Sequence, residues 1–481
     1  MRMKFGKAIN LISKIINNKF CLLGICFFDY LYTFINIIFP NIFIGALFLL
    51  VNLLFVLFLE NKRGIQLIFL LYPLSRVLKI PGISTSLFTI LLGIYLLVLI
   101  FRCIKNKFVC LNQRRVIILG LFLLYVLFTL LISIICYNGS YPFIRLFSYY
   151  LHLAFPIICC VVLVKEDGIN GVENIIIISF SFLVGMLYTV FYHYAIPNGD
   201  ELLKNAGVNI FDMNTYGLRF SPLADDPNYG TAAIILLACI FLCAKKNRLQ
   251  LFIGLPIILL NFVLSALSIS KMFYLCLIVI VSCYLLKLVF KFKNVFMAVG
   301  ISFFALLFIL IFLGTSAGNT LLIRTIGTLD GISLNRITSG RTELFGEYTS
   351  FMLYNPSVLL FGKGPVYSDL STFTNGEHNT FTTNVFGNGL IGVGLMLLVL
   401  FLMAKERFDA IKKIPKSFSF YALVGCLFIC FMSLSIAPST VFPIFVVAFH
   451  YVSFESDKEL QTKNRNLNVK NKSLSLTEIN L

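Results

Sequence analysis

The chain has 481 residues, 59% of them hydrophobic and 12% charged, with a formal net charge of +18. Charged residues are roughly half as frequent as in a soluble protein, which excludes an ordinary set of soluble domains. The basic excess lies in short segments between apolar runs, a positive-inside pattern that argues against nucleic-acid binding.

Apolar runs near twenty residues recur along almost the whole chain, each able to cross a hydrocarbon core of about 30 Å as a helix. The expected fold is all-α and polytopic, with about fourteen transmembrane helices. The basic start, Met1 to Phe20, leads straight into a helix and shows no cleavable signal pattern. Spans are expected near 20–39, 42–59, 65–80, 84–101, 116–136, 144–164, 174–193, 225–244, 250–269, 271–290, 294–314, 382–403, 418–435 and 438–454. Most Lys and Arg fall at the N-terminus, at Lys62–Arg63, Arg102–Arg115, Lys245–Arg248, Lys287–Lys293 and Lys405–Lys416, and in the tail. An even number of spans places all of these, and both termini, on the cytoplasmic side.

One transmembrane domain is therefore expected over 1–454. It carries a first long outer loop at 194–224 and a large outer loop at 315–382 with short interfacial helices. A polar tail at 455–481 is expected to be disordered. All thirteen cysteines lie in or beside apolar segments, so neither disulfides nor a metal cluster is expected. Trp is absent while Ile, Phe, Asn and Lys abound, the composition of an AT-rich bacterial genome.

The first outer loop ends in Arg219, then Asp226-Pro227-Asn228 and Gly230. Asp226 before Pro227 is a helix start, with Asp as cap and Pro in the first turn. The same helix end offers free N–H groups to an anion, so Asp226 has two readings. Arg219 likewise serves a lipid headgroup or a substrate phosphate. The Ser-rich turn ending Ser270-Lys271 puts a lysine outside, against the positive-inside bias. In the large loop Leu344, Phe345, Tyr348, Phe351 and Met352 recur with helical spacing after Arg341, and Asn355-Pro356 ends the run. An amphipathic helix on the membrane surface is expected there, followed by a turn at Phe361-Gly362-Lys363-Gly364-Pro365. Glu377-His378-Asn379 then precedes a span entered through Gly387, Gly389 and Gly392, which would admit a close helix or lipid. His152, His193 and His450 read as packing or interhelical hydrogen bonds. Asp29, inside the first span, is either an intramembrane functional group or an interfacial one.

No Walker A sequence, HExxH or Gly-x-Ser-x-Gly elbow occurs, and no Asp-x-Asp pair lies in an outer loop. These absences argue against an ATP-driven pump and against a metal-dependent sugar-nucleotide transferase.

From about Arg219 to Leu400 the chain resembles the O-antigen polymerase and ligase superfamily of bacterial envelope enzymes. Four pieces carry the resemblance, in the family's order: Arg219 with Asp226-Pro227-Asn228; Ser270-Lys271, where relatives often have Ser-Arg; Ser339-Gly340-Arg341 with Phe361-Gly362; and His378-Asn379 with Gly389 and Gly392. Polymerases of this kind carry Arg-x10-Gly and Arg-x15-Gly patterns, which Arg219 with Gly230 and Arg324 with Gly340 match. Lys271 departs from the family's arginine.

The resemblance implies a metal-independent glycosyltransferase of the bacterial cytoplasmic membrane, without cofactor. It would join polyprenyl-pyrophosphate-linked oligosaccharide units at the outer face, for an O-antigen, capsule or exopolysaccharide. Arg219 and Arg341 would stabilise the leaving pyrophosphate, and His378 would orient or deprotonate the acceptor hydroxyl. Lys271, Arg324, Asp226, Asn228, Glu377 and Asn379 would bind substrate. A chain-length regulator and a flippase are the implied partners. A ligase for the finished glycan and a flippase or other transporter are the rival readings.

Overall fold

The structure is a computed structural model. It describes residues 16–78, 86–105, 111–136, 143–163, 169–206, 208, 220–223, 226–290, 295–315, 318–319, 321–323, 341–365, 379–406, 418–434 and 441–454. In chain order the helices are α1 (Lys19–Ile38), α2 (Ile42–Phe58), α3 (Asn61–Leu71), α4 (Leu87–Lys105), α5 (Gln113–Cys136), α6 (Phe143–Val162), α7 (Gly171–Ala195) and α8 (Gly199–Asn205). They continue as α9 (Pro227–Cys243), α10 (Arg248–Ala266), α11 (Lys271–Phe290), α12 (Val295–Leu313), α13 (Arg341–Tyr354), α14 (Pro356–Phe361), α15 (Thr380–Glu406), α16 (Phe418–Ser433) and α17 (Val441–Tyr451). No strand occurs among the described residues.

This is an all-α membrane protein. Among the described residues 7 helices are long and apolar enough to cross a bilayer, namely α4, α5, α6, α7, α10, α11 and α15. Shorter apolar helices lie in α1, α2, α9, α12, α16 and α17. Large apolar side chains stay uncovered on their outer faces, as with Phe43, Phe252 and Phe296, at 81%, 79% and 93% exposure. A soluble protein would bury such groups, whereas hydrocarbon solvates them.

The expected third span at 65–80 takes a different form. It is an 11-residue helix, α3, continued by a 3-10 turn over Tyr72–Leu74. Pro73 lacks the N–H that a further helical turn requires. This piece is wrapped by protein, with Ile65 to Leu74 buried throughout. Its two ends are nevertheless tied to opposite ends of α4. Arg102 donates to Asn61 Oδ1 at 2.8 Å, and Ser86 donates to the Ser75 carbonyl at 2.6 Å.

Contacts between helix ends sort those ends into two sets. One set is basic. Lys62 pairs with Glu173 at 3.1 Å, and Arg115 pairs with Glu406 at 3.0 Å and donates to the Val161 carbonyl at 3.1 Å. Tyr451 donates to the Cys159 carbonyl at 2.8 Å, and the Lys245 N–H donates to the Ser453 carbonyl at 2.7 Å. Gly171 lies against Val452 so closely that a Cβ would stand 2.5 Å from its nitrogen, which joins the α7 start to this set. The opposite ends form the other set. Tyr192 donates to the Phe34 carbonyl at 2.6 Å, Thr189 to the Ser221 carbonyl at 2.5 Å, and Thr380 to the Leu434 carbonyl.

Every described cysteine is a free thiol. Cys276 and Cys426 each direct a thiol at the other's backbone carbonyl, at 4.0 and 3.6 Å, where α11 packs on α16. These cysteines act as small core groups. Among the histidines, His152 shares a hydrogen bond with Tyr72 of the 3-10 turn, the second of the two roles, packing or an interhelical bond, expected of it. His193 pairs with Asp200 at 2.8 Å.

Candidate functional site

The sequence pieces singled out above meet at two junctions in the less basic set of helix ends. At the first, Asp226 caps α9, its carboxylate accepting from the Asn228 N–H at 2.8 Å and from Asn228 Nδ2 at 2.7 Å. Pro227 occupies the first turn, as its fixed φ allows. Asn228 then accepts from Ser270 Oγ at 2.8 Å. The Asp226-Pro227-Asn228 corner and the Ser270-Lys271 turn, 42 residues apart, are thus locked together. Ser270 is buried, and Lys271 opens α11 directly after it, half-buried. Ile269 reaches this turn with φ +49°, a left-handed conformation unfavourable to a β-branched residue. The preceding loop folds onto the same place, with the Phe220 N–H donating to the Leu267 carbonyl at 3.3 Å. Gly230 fits because a Cβ there would lie 2.2 Å from the Pro222 ring.

Asn228 and Ser270 should therefore be energetically coupled. Ser270→Ala and Asn228→Leu are each expected to lower the melting temperature of purified protein, since each removes this hydrogen bond from buried Ser270 or half-buried Asn228, a loss of about 1 kcal/mol or more. The double variant should lose less than the sum. Strict additivity would show the bond to be absent.

The second junction involves the large loop. Arg341 opens α13, whose Tyr348 and Met352 pack with Val358 of α14 against Phe386 of α15. The helix expected to lie on the membrane surface thus has its apolar face covered by protein at these residues. Pro356 ends α13 as expected, and it also starts α14. The glycine turn follows, with Gly362 at φ +81° and Gly364 at φ +92°. Its Lys363 and Gly364 N–H groups donate to the Phe386 and Gly387 carbonyls at 2.9 and 2.8 Å. Those carbonyls accept this strand-like segment because α15 is broken at Gly389, φ +65° and ψ 171°. The close approach expected of the Gly-rich entry occurs here, and the approaching group is the chain's own loop.

Beside the break lies a polar cluster that the sequence reading missed. Tyr125 of α5 shares a hydrogen bond with Tyr149 of α6 at 2.9 Å and donates to Asn388 Oδ1 at 3.3 Å. Asn388 donates to Asn384 Oδ1 at 3.3 Å, and Thr129 bonds Tyr150 at 2.8 Å. The signal was present: Tyr125, Thr129 and Ser133 recur every fourth residue and mark one polar stripe on α5. Gly389 is nine residues from Thr380 and seventeen from Glu406, about 13 Å and about 25 Å of helix. The break is thus well off centre, toward the Thr380 end.

Asn379 precedes α15 and caps it, accepting from the Phe381 N–H at 2.9 Å. Its Nδ2 donates to the Met432 carbonyl at 3.4 Å. The side chain expected to bind substrate is therefore engaged in holding the helix start. The two junctions share one end of the molecule. From the Cys276–Cys426 contact, α11 rises about 7.5 Å back to Lys271 and α16 about 9 Å on to Met432. Lys271 and Asn379 consequently stand at one level on neighbouring packing units. Arg219, Arg324, Glu377 and His378 lie outside the described residues. At the basic end, a cavity of about 370 Å³ is lined by Arg114, Arg115, Glu406 and His450.

No protein-family model matches this chain. No curated protein matches it either.

Proposed function

We propose that this protein polymerises polyprenyl-pyrophosphate-linked oligosaccharide units at the outer face of a bacterial cytoplasmic membrane, as the resemblance to O-antigen polymerases and ligases implies. One observation carries the reading. The described members of the four resemblance pieces pair into two junctions at the helix ends opposite the basic set; Lys271 starts a helix at the first, and Arg341 starts α13, which packs at the second. A helix start beside a cation suits pyrophosphate, and the arginine fork suits its oxygens. The hydroxyl of one unit would attack the anomeric carbon of the growing chain, with polyprenyl pyrophosphate leaving. Arg219 and Arg341 would stabilise that leaving group, and His378, next to anchored Asn379, would handle the acceptor proton.

The topology is part of the proposal. Fourteen crossings, counting α3 with its 3-10 turn as one, put every basic end and both termini in the cytoplasm. A cysteine placed at Ser316 should react with an impermeant reagent on intact spheroplasts. Reaction only after lysis would overturn the topology and the outward site with it.

A transporter is the second reading, and the break at Gly389 beside buried Tyr125, Tyr149 and Asn388 is the observation that favours it. The off-centre position of the break and the closed bonding of the cluster weigh against a central transport site. Gel analysis of glycans from a deletion strain separates the readings. Loss of a polymerase leaves single units, carrier-linked or singly transferred. Loss of a ligase leaves long chains on the carrier. Loss of a flippase leaves units on the cytoplasmic leaflet. We expect the first, and a normal ladder of carrier-bound long chains would refute it.

A further inference from the structure

The first helical hairpin holds a group that glycosyl transfer does not use. Asp29 lies ten residues into α1, about 15 Å from its start, and its side chain is completely buried. Asn52 of α2 faces it and is equally buried. Asn52 Nδ2 donates to Asp29 Oδ1 at 2.8 Å and to the Phe48 carbonyl at 3.1 Å, which uses both amide hydrogens. Among the described residues, two buried oxygens then have no partner: Asp29 Oδ2 and Asn52 Oδ1. With Asp29 ionised both are acceptors, and neither can satisfy the other. One proton on Oδ2 makes a donor, with the orphaned amide oxygen of the same pair as its acceptor.

We infer that Asp29 is a proton-binding site, held at neutral pH as a carboxylic acid that closes a ring of two hydrogen bonds with the Asn52 amide. The surroundings agree with a neutral acid. No lysine, arginine or second carboxylate pairs with Asp29 among the described residues. On its own helix Cys26 and Tyr30 are the titratable neighbours, and Thr33 donates to the Asp29 backbone carbonyl at 2.8 Å. From α7, Tyr188 donates to the Tyr30 carbonyl at 2.9 Å. Of the charged groups on other elements against α1, Lys62 of α3 is paired with Glu173, Arg63 bonds Gln66, and Arg76 is exposed beside Val77, whose carbonyl accepts from Asn36 near the far end of α1. On α8, which packs on α1, Asp200 is paired with His193, and Glu201 and Lys204 lie on the same short helix. An unpaired carboxylate at this depth would be costly, and a proton removes the charge. A metal ion would need about six oxygens, whereas this pair leaves two.

Infrared difference spectra of the full-length protein in lipid vesicles, wild type minus Asp29→Asn, test the assignment. The expected result is a carboxylic-acid carbonyl band, constant across the neutral pH range and indifferent to sodium or potassium. A carboxylate band in its place, or an acid band abolished by either ion, would overturn the inference. Melting temperatures give a second test. Asp29→Asn retains the ring as an amide pair and should melt like wild type. Asp29→Leu should melt several degrees lower, and Asp29→Leu with Asn52→Leu should recover part of the loss, because both polar partners are then gone. Equal losses in Asp29→Asn and Asp29→Leu would mean that the site requires a charge, and the proton would be excluded.

Discussion

Alanine at Gly389 is expected to destabilise the protein severely, while alanine at Gly394, five residues along the same helix, is expected to be harmless. Gly389 has φ +65° with ψ 171°, a region essentially confined to glycine, which costs an L-residue about 1–3 kcal/mol before any contact is considered. A Cβ there would also stand 2.3 Å from the Leu360 oxygen and 2.4 Å from the Phe361 carbonyl carbon. Both are backbone atoms, so no side chain can swing aside. Moving the loop away would open the Lys363 and Gly364 bonds to α15 and strand the Phe386 and Gly387 carbonyls. Each stranded buried group adds about 1–3 kcal/mol. At Gly394 a Cβ meets nothing within 4 Å, so alanine should be neutral or favour the helix by roughly 0.5–1 kcal/mol. Thermal unfolding of the two purified variants decides the matter. Equal melting temperatures would mean that the helix is not broken at Gly389.

The same glycines show how far the sequence could be read. Periodicity and length located α1, α2 and most later helices, because lipid-facing and protein-facing surfaces of a span are both apolar and the run of about twenty residues is the signal. Asp226-Pro227 named its own helix start, since capping depends on neighbours in sequence. Arg341 and Asn355-Pro356 bracketed α13 for the same reason. What could not be read was long-range. Gly387 and Gly389 announced a close approach but not its partner, which is a loop some twenty-five residues upstream. Ser270 gave no sign of reaching Asn228, and Asn379, which the resemblance assigns to substrate, gave no sign of its bonds to the α15 start and to Met432. Tyr125 and Thr129 were absorbed into an apolar run, where one polar stripe barely changes the average. The third span was misjudged in form because apolar content alone does not register that Pro73 interrupts the helix.

On the proposed reading, Arg341→Ala, Arg219→Ala and His378→Ala should each remove most polymerising activity with little change in protein level. Loss of one electrostatic contact to a developing charge costs on the order of 3 kcal/mol of barrier, about a hundredfold in rate. Arg341 supplies the structural half of the argument. It stands half-buried at the first position of α13, on the Tyr348 and Met352 side but about two turns before Tyr348 and outside the apolar cluster those residues form, so its truncation removes no side chain of that cluster. Lysine at position 341 or 219 should restore activity only in part, because a point charge replaces a planar fork that grips two oxygens. His378→Ala should fail differently, since a proton-handling group acts on the acceptor while the arginines act on the leaving group. If His378 handles the acceptor proton, its alanine variant should have a flatter pH–rate profile than the wild type, whereas the arginine variants should keep the wild-type profile. The assay is polymer length from purified protein in vesicles supplied with lipid-linked units. Wild-type rates in all three alanine variants would remove the site. A loss confined to His378→Ala would leave an acceptor site but discard the pyrophosphate clamp, because a leaving group with two negative phosphates cannot depart into a low-dielectric pocket unless a cation meets it.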